Sequence, residues 1–253
     1  MQPKRCNLQT MRITAKSDIG RVRTSNQDSY SAGELSDGVA WAIVCDGMGG
    51  AAGGNVASST SVRMISHTLG ECYRSGMKPS SIFNILESGI AGANACLYEM
   101  AQNDESLSGM GTTCVAAIVD SGKVYVAHVG DSRAYIVSAD GNLKQLTRDH
   151  SMVQDLVESG ELTPEEAKNF PGKNIITRAI GVDGRVTVDF DESDFAHDDI
   201  LILCSDGLTN YVSDEEIVSV ASASTCFEYA EKLVNLANEN GGGDNITVVS
   251  IVS

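Results

Sequence analysis

Three apolar runs in this chain stop at an aspartate. Trp41-Ala-Ile-Val-Cys45 meets Asp46-Gly47, Val124-Tyr-Val-Ala-His-Val-Gly130 meets Asp131-Ser132-Arg133, and Ile200-Leu-Ile-Leu-Cys-Ser205 meets Asp206-Gly207. A fourth acid, Asp244, follows Gly241-Gly-Gly243 and precedes the apolar Ile246–Val252, and Asp28 closes Arg23-Thr-Ser-Asn-Gln-Asp28. Taken singly, Asp-Gly after a strand is a turn signal. Five acids at strand margins constrain the fold further, because the ends of a sheet are where side chains from distant sequence converge.

The rest of the pattern sets the fold class. Strands are expected at Met11–Lys16, Val39–Cys45, Thr113–Val119, Lys123–His128, Ala134–Val137, Ile200–Cys204 and Ile246–Val252. Helices are expected at Gly53–Leu69, Ser80–Ala101, His150–Ser159, Pro164–Lys168, Asp214–Val220 and Phe227–Asn238. Thr163 and Ser213 each precede a Glu by three residues, the signature of a capping box. Strands come in hairpin-like runs between helices without strict alternation, which favours α+β over a doubly wound parallel sheet. No Pro/Gly/Ser-rich linker divides the sequence, so 11–253 reads as one domain and 1–10 as a polar lead-in.

Composition narrows the function. Lys+Arg 18 against Asp+Glu 34 gives a net charge of −16, which speaks against nucleic acid or an anionic membrane as partner. The seven cysteines include no CxxC pair, so neither a zinc ribbon nor a disulfide framework is supported. They read as small hydrophobes in a reducing compartment. No apolar leader and no run of about 18 apolar residues occurs, so a cytoplasmic protein is expected.

Should the five acids converge, electrostatics demands a cation. Two carboxylates about 4 Å apart repel by about 4 kcal/mol at an effective dielectric of about 20. Oxygen ligands without a Cys/His set select Mg²⁺ or Mn²⁺ over zinc. Two such ions sharing a carboxylate can acidify a water for in-line attack on phosphorus.

Six segments in order carry a resemblance: Arg23-x-x-Asn26-Gln27-Asp28, Asp46-Gly47-Met48-Gly49-Gly50, Gly109-Met110-Gly111-Thr112-Thr113, Gly130-Asp131-Ser132-Arg133, Cys204-Ser205-Asp206-Gly207-Leu208 and Gly243-Asp244-Asn245-Ile246-Thr247. Over roughly Ile13–Val252 the chain resembles the metal-dependent Ser/Thr protein phosphatases of the PPM or type 2C class, in their bacterial form. That resemblance implies a central antiparallel β-sandwich flanked by helices on both sides, a four-layer αββα arrangement with metals at one end. It implies that Asp46 bridges two ions, that Gly47 ligates one through its carbonyl, and that Asp206 and Asp244 complete the first. It further places Asp28 near the second ion, Asp131 at a weaker third, and Arg23 on the substrate phosphate. The implied reaction is direct attack on phosphoSer or phosphoThr by a hydroxide bridging two Mg or Mn ions, with Asp46, Asp206 and Asp244 at the catalytic centre. The implied partners are phosphoproteins of a cognate Ser/Thr kinase, with the enzyme acting as a monomer. Met48 stands where eukaryotic members carry a His proposed as general acid, and His150–Asn174 corresponds to a variable flap ahead of Thr177-Arg178-Ala179-Ile180-Gly181.

Parts of the sequence fit other readings. A phosphatase of partner-switching regulators is the nearest one. Gly47-x-Gly49-x-x-Ala52 also fits a dinucleotide fingerprint and hence an NAD-binding oxidoreductase, although Asp46 would then face the pyrophosphate. Cys6-x5-Arg12 has only the bare spacing of a thiol phosphatase loop. His128 reads as packing or a local hydrogen bond, His150 as a helix cap, and Asp189–Asp199 as a solvated connection.

Overall fold

The computed structural model describes residues 11–36, 38–167 and 170–253; the lead-in 1–10 and Lys168 lie outside them. The strands are β1 (Arg12–Asp18), β2 (Asp28–Ser36), β3 (Val39–Met48), β4 (Gly111–Thr112), β5 (Cys114–Asp120), β6 (Lys123–Val129), β7 (Arg133–Val137), β8 (Leu143–Gln145), β9 (Asp189–Asp194), β10 (Ile200–Cys204) and β11 (Ile246–Val252). The helices are α1 (Gly50–Cys72), α2 (Pro79–Asn103), α3 (Met152–Glu158), α4 (Pro164–Ala167), α5 (Asp206–Thr209), α6 (Asp214–Ala223) and α7 (Tyr229–Glu239).

Two antiparallel sheets form, one in the order β1-β11-β10-β7-β8 and one in the order β2-β3-β5-β6-β9, with the short β4 on β3. Side-chain alternation explains why they stack. On β3, Ala40, Ala42 and Val44 face the other sheet, while Val39, Ile43 and Cys45 face α1 and α2. On β10, Leu201 and Leu203 enter the inter-sheet core, while Ile200, Ile202 and Cys204 meet α5–α7. Central strands are thus buried on both faces, which is why they read as unbroken apolar runs. The layers are helix, sheet, sheet, helix.

The dinucleotide reading fails on this topology. β3 is followed by a helix, yet both its sheet neighbours, β2 and β5, run antiparallel to it. A dinucleotide fold needs a parallel neighbour reached through that helix. Here α1 leads into α2 instead.

The acidic stretch after Val188 is a strand, not a solvated connection. β9 pairs antiparallel with β6 from Asp189↔His128 to Asp194↔Lys123. Its residues alternate between half-buried and exposed, but acids fall on both faces and hide the period. Charge on an edge strand discourages further pairing. β2 was also illegible, because Ser, Gly and Glu dilute its strand propensity. His150 does not cap a helix: α3 begins at Met152, capped by Ser151, whose hydroxyl accepts from the Gln154 amide at 3.3 Å.

Both capping boxes form. Ser213 N–H donates to Glu216 Oε2 at 2.8 Å and Glu216 N–H to Ser213 Oγ at 3.3 Å; Thr163 and Glu166 repeat the pattern. Cys45, Cys114 and Cys204 are buried thiols, and burial pushes Cys204 up to about 12, as suits a packing residue.

Candidate active site

The antiparallel registers decide where the acids meet. Asp46, near the end of β3, lies directly opposite Asp28, which begins β2. Asp206 follows β10, Asp244 precedes β11, and those strands pair antiparallel, so both acids reach the same end of the sandwich. β6 runs parallel to β3 with β5 between them, bringing the Gly130–Asp131 turn there as well. A cleft of about 470 Å³ opens at this end, lined among others by Arg23, Asp46, Gly47, Met48, Asp131, Asn174, Ile176, Asp206 and Asp244. Asp28 lies beneath it: it is 8% exposed and its Oδ2 accepts from Ser205 Oγ at 2.7 Å.

Several residues that hold this cluster were not expected. Thr113 Oγ1 accepts from Asp46 N–H at 3.0 Å, and Thr113 N–H donates to the Asp46 carbonyl at 2.9 Å. Asn210 Nδ2 donates to Asp206 Oδ2 at 2.9 Å. Asn245 clamps the loop that carries Arg23: its Nδ2 donates to the carbonyls of Ile19 and Ser25, both at 3.0 Å, and its Oδ1 accepts from Gln27 N–H at 2.8 Å. Thr113 and Asn245 do stand inside recognised motifs, beside the residues whose chemistry drew notice.

Gly47 is required by space. A Cβ there would collide with the Gly54 carbonyl and come within 2.7 Å of the Gln27 carbonyl. The close fit puts its main chain at the cleft surface.

Electrostatically the site is overloaded with negative charge. Asp46 is pushed well above the usual carboxylate range by burial and then by Asp28 and Asp206. Burial lifts Asp28 and Asp131 to about 7 and raises Asp206. Asp206 Oδ2 is held by Asn210, which leaves its other oxygen without a donor. Asp28 Oδ1 and Asp206 Oδ1 are buried without a hydrogen-bond partner. Orphaned acceptors and mutually repelling buried carboxyls mark a site shaped for cations, and their oxygen donors fit Mg²⁺ or Mn²⁺.

Arg23 is the cationic group at the rim. Its Nη2 donates to Asp244 Oδ2 at 2.7 Å, with 52% of its side chain exposed. An ion pair that open is worth only about 0–1 kcal/mol, so little holds the guanidinium in this pairing.

The profile of the protein phosphatase 2C family matches residues 20–246. The chain belongs to that family. It is 41% identical over 242 residues to a serine/threonine phosphatase, stp, of Listeria innocua, covering 95% of each chain. The structure of the S. agalactiae serine/threonine phosphatase superposes with a TM-score of 0.89 at 39% identity, covering 96% of this chain and 99% of that one. The catalytic domain of the phosphatase PstP in complex with two manganese ions superposes with a TM-score of 0.81 at 35% identity, over 96% of this chain and 99% of that one. Membership in the type 2C phosphatases agrees with the αββα layering and with an acid-lined cleft. Among the described residues no helix is long and apolar enough to cross a membrane.

Proposed function

We infer that the cleft hydrolyses phosphoserine and phosphothreonine on proteins, using two Mn²⁺ or Mg²⁺ ions. The observation that carries this reading is the convergence of five aspartates, from residues 28 to 244, on one end of the sandwich with a single arginine at the rim. Asp46, Asp206, Asp244 and the Gly47 carbonyl would hold the ions, with Asp28 behind them, and Asp131 would hold a weaker third. When bound, the ions supply an acidified water and positive charge against the phosphoryl oxygens.

The chain's own groups do the rest. Thr113 fixes the Asp46 main chain through both its N–H and its hydroxyl, and Asn210 orients the Asp206 carboxylate. Arg23 leaves Asp244 and binds phosphate oxygens, a bidentate match for a guanidinium. Asn174 and Ile176 also line the cleft and would meet the peptide around the phosphoresidue. Met48 lines the cleft too, but a thioether has no proton to give. Substrates are the phosphoproteins of a cognate Ser/Thr kinase.

The test is hydrolysis of p-nitrophenyl phosphate and a phosphothreonine peptide. Activity is expected to vanish with EDTA, to return with Mn²⁺, and to be absent in Asp46→Ala and Asp206→Ala, whose circular dichroism stays native. Full turnover after exhaustive chelation would overturn the metal-dependent reading.

A further inference from the structure

The tightest group of ligand-type side chains among the described residues lies outside the cleft mouth: one donor atom from each of His128, His150 and Asp189 falls within 4.8 Å of the others. It is not a metal site. Arg178 Nη1 stands 2.7 Å from Asp189 Oδ1 and 3.1 Å from His150 Nε2, so a guanidinium already holds the place a coordinated cation would need.

What the cluster does hold is Gly130. The His150 N–H donates to the Gly130 carbonyl at 3.0 Å, and the His150 Nδ1 accepts from the Gly130 N–H, also at 3.0 Å. One residue therefore satisfies both polar groups of the glycine immediately before Asp131. Gly130 itself has φ +104°, and a Cβ there would lie 2.6 Å from Thr113 Cγ2. The turn is squeezed between Thr113, which fixes Asp46, and the imidazole.

The imidazole has little freedom. Its side chain is fully buried and stacks on His128 with centroids 4.7 Å apart and planes at 17°. With Nδ1 accepting from Gly130, a neutral ring carries its proton on Nε2, which then donates to Asp189 Oδ2 at 3.2 Å. The 3.1 Å approach of Arg178 Nη1 to Nε2 is a contact and not a hydrogen bond. Burial lowers the pKa of His150, in keeping with a neutral ring. Next door, Arg133 grips Asp149 with Nε and Nη2 and ties the far side of the Asp131 turn to the same segment. The His150 carbonyl in turn accepts from Thr177 N–H at 2.8 Å, and Ser151 bridges to Ile176, so the root of the flap and the Asp131 turn share one anchor.

We propose that His150, oriented by Asp189, is a positioning residue that aims Asp131 into the cleft and registers the flap edge against it. The proposal rests on the role given to Asp131 above. An orienting partner of this kind is typically worth about 10- to 100-fold in activity or metal affinity.

The test compares His150→Ala, His150→Asn (whose side-chain oxygen can replace Nδ1 as acceptor), Asp131→Ala and the double variant His150→Ala/Asp131→Ala. Peptide turnover is expected to fall at least about tenfold in His150→Ala and to recover in His150→Asn. Calorimetric titration with Mn²⁺ alone should show the tight sites intact and the weak one lost. The double variant should be no worse than Asp131→Ala, since coupled residues are non-additive. Nitrogen NMR of the metal-free wild type, which needs no variant to fold, should show His150 with a bare Nδ1 and a protonated Nε2. A protonated Nδ1, additive losses in the double variant, or wild-type turnover in His150→Ala while Asp131→Ala is impaired would each overturn it. Wild-type turnover in Asp131→Ala would instead remove the role assigned to Asp131, leaving the tautomer measurement to judge the Gly130 clamp by itself.

Discussion

Arg23 and Asp131 carry the sharpest predictions at the scale of single residues, because each lines the cleft without holding it together. Arg23 is half exposed and, among the described residues, pairs with Asp244, so its removal should leave the acid cluster in place. Arg23→Ala is expected to raise KM for a phosphopeptide about tenfold or more, in line with loss of one charge-assisted contact, with Mn²⁺ affinity unchanged by calorimetry. An unaltered KM would reduce it to a surface ion pair. Asp131 follows a glycine turn at the cleft wall. Asp131→Ala should keep two tight Mn²⁺ sites and lose most phosphopeptide turnover. The aryl phosphate should suffer less, since its leaving group needs little protonation. Equal damage to both substrates would place Asp131 in the core cluster.

Among the elements, α6 offers a clean separation of stability from chemistry. Its capping box satisfies the Glu216 and Ser213 amides, and Ile217 and Ala221 pack it on the outer face of the β10–β11 sheet. Ser213→Ala is expected to lower unfolding free energy by about 1 kcal/mol, read from the urea midpoint, with kcat unchanged. A fall in kcat would tie α6 to the site. The strands show what element-level reading can and cannot do. β3, β5, β10 and β11 were legible because burial on both faces leaves only apolar residues. β9 and β2, at the sheet edges, bury one side or less, and their polar residues carry no period strong enough to announce a strand.

Across the whole molecule, excess charge at one end should be visible in stability. Folding raises Asp28 and Asp131 from 3.8 to about 7, so the metal-free fold binds protons that the unfolded chain releases. Their contribution is therefore favourable below about pH 4 and is lost as pH rises through 7. The buried imidazoles of His128 and His150, whose pKa values folding lowers, act in the opposite sense. A comparison with Asp28→Asn isolates the carboxyl: in EDTA its Tm advantage over wild type should grow between about pH 5 and 8, and Mn²⁺ should erase it. A pH-independent difference would show that Asp28 titrates in the fold as it does unfolded.

Much of this protein followed from local chemistry alone. The α+β class came from apolar runs in hairpin order. The five acids and Arg23 came from motif order, and their demand for hard cations from Coulomb repulsion. Tertiary structure decided what depends on atoms far apart in sequence: which acid lines the cleft and which lies beneath it, that Thr113, Asn210 and Asn245 hold the cluster, and that an imidazole in the flap root grips the Gly130 peptide. Such contacts leave no local signature, because an Asn or His that satisfies a main-chain group more than a dozen residues away reads like any other polar residue. Only the register of the strands brings donor and acceptor within 3 Å, and that register is set by the packing of both sheets at once.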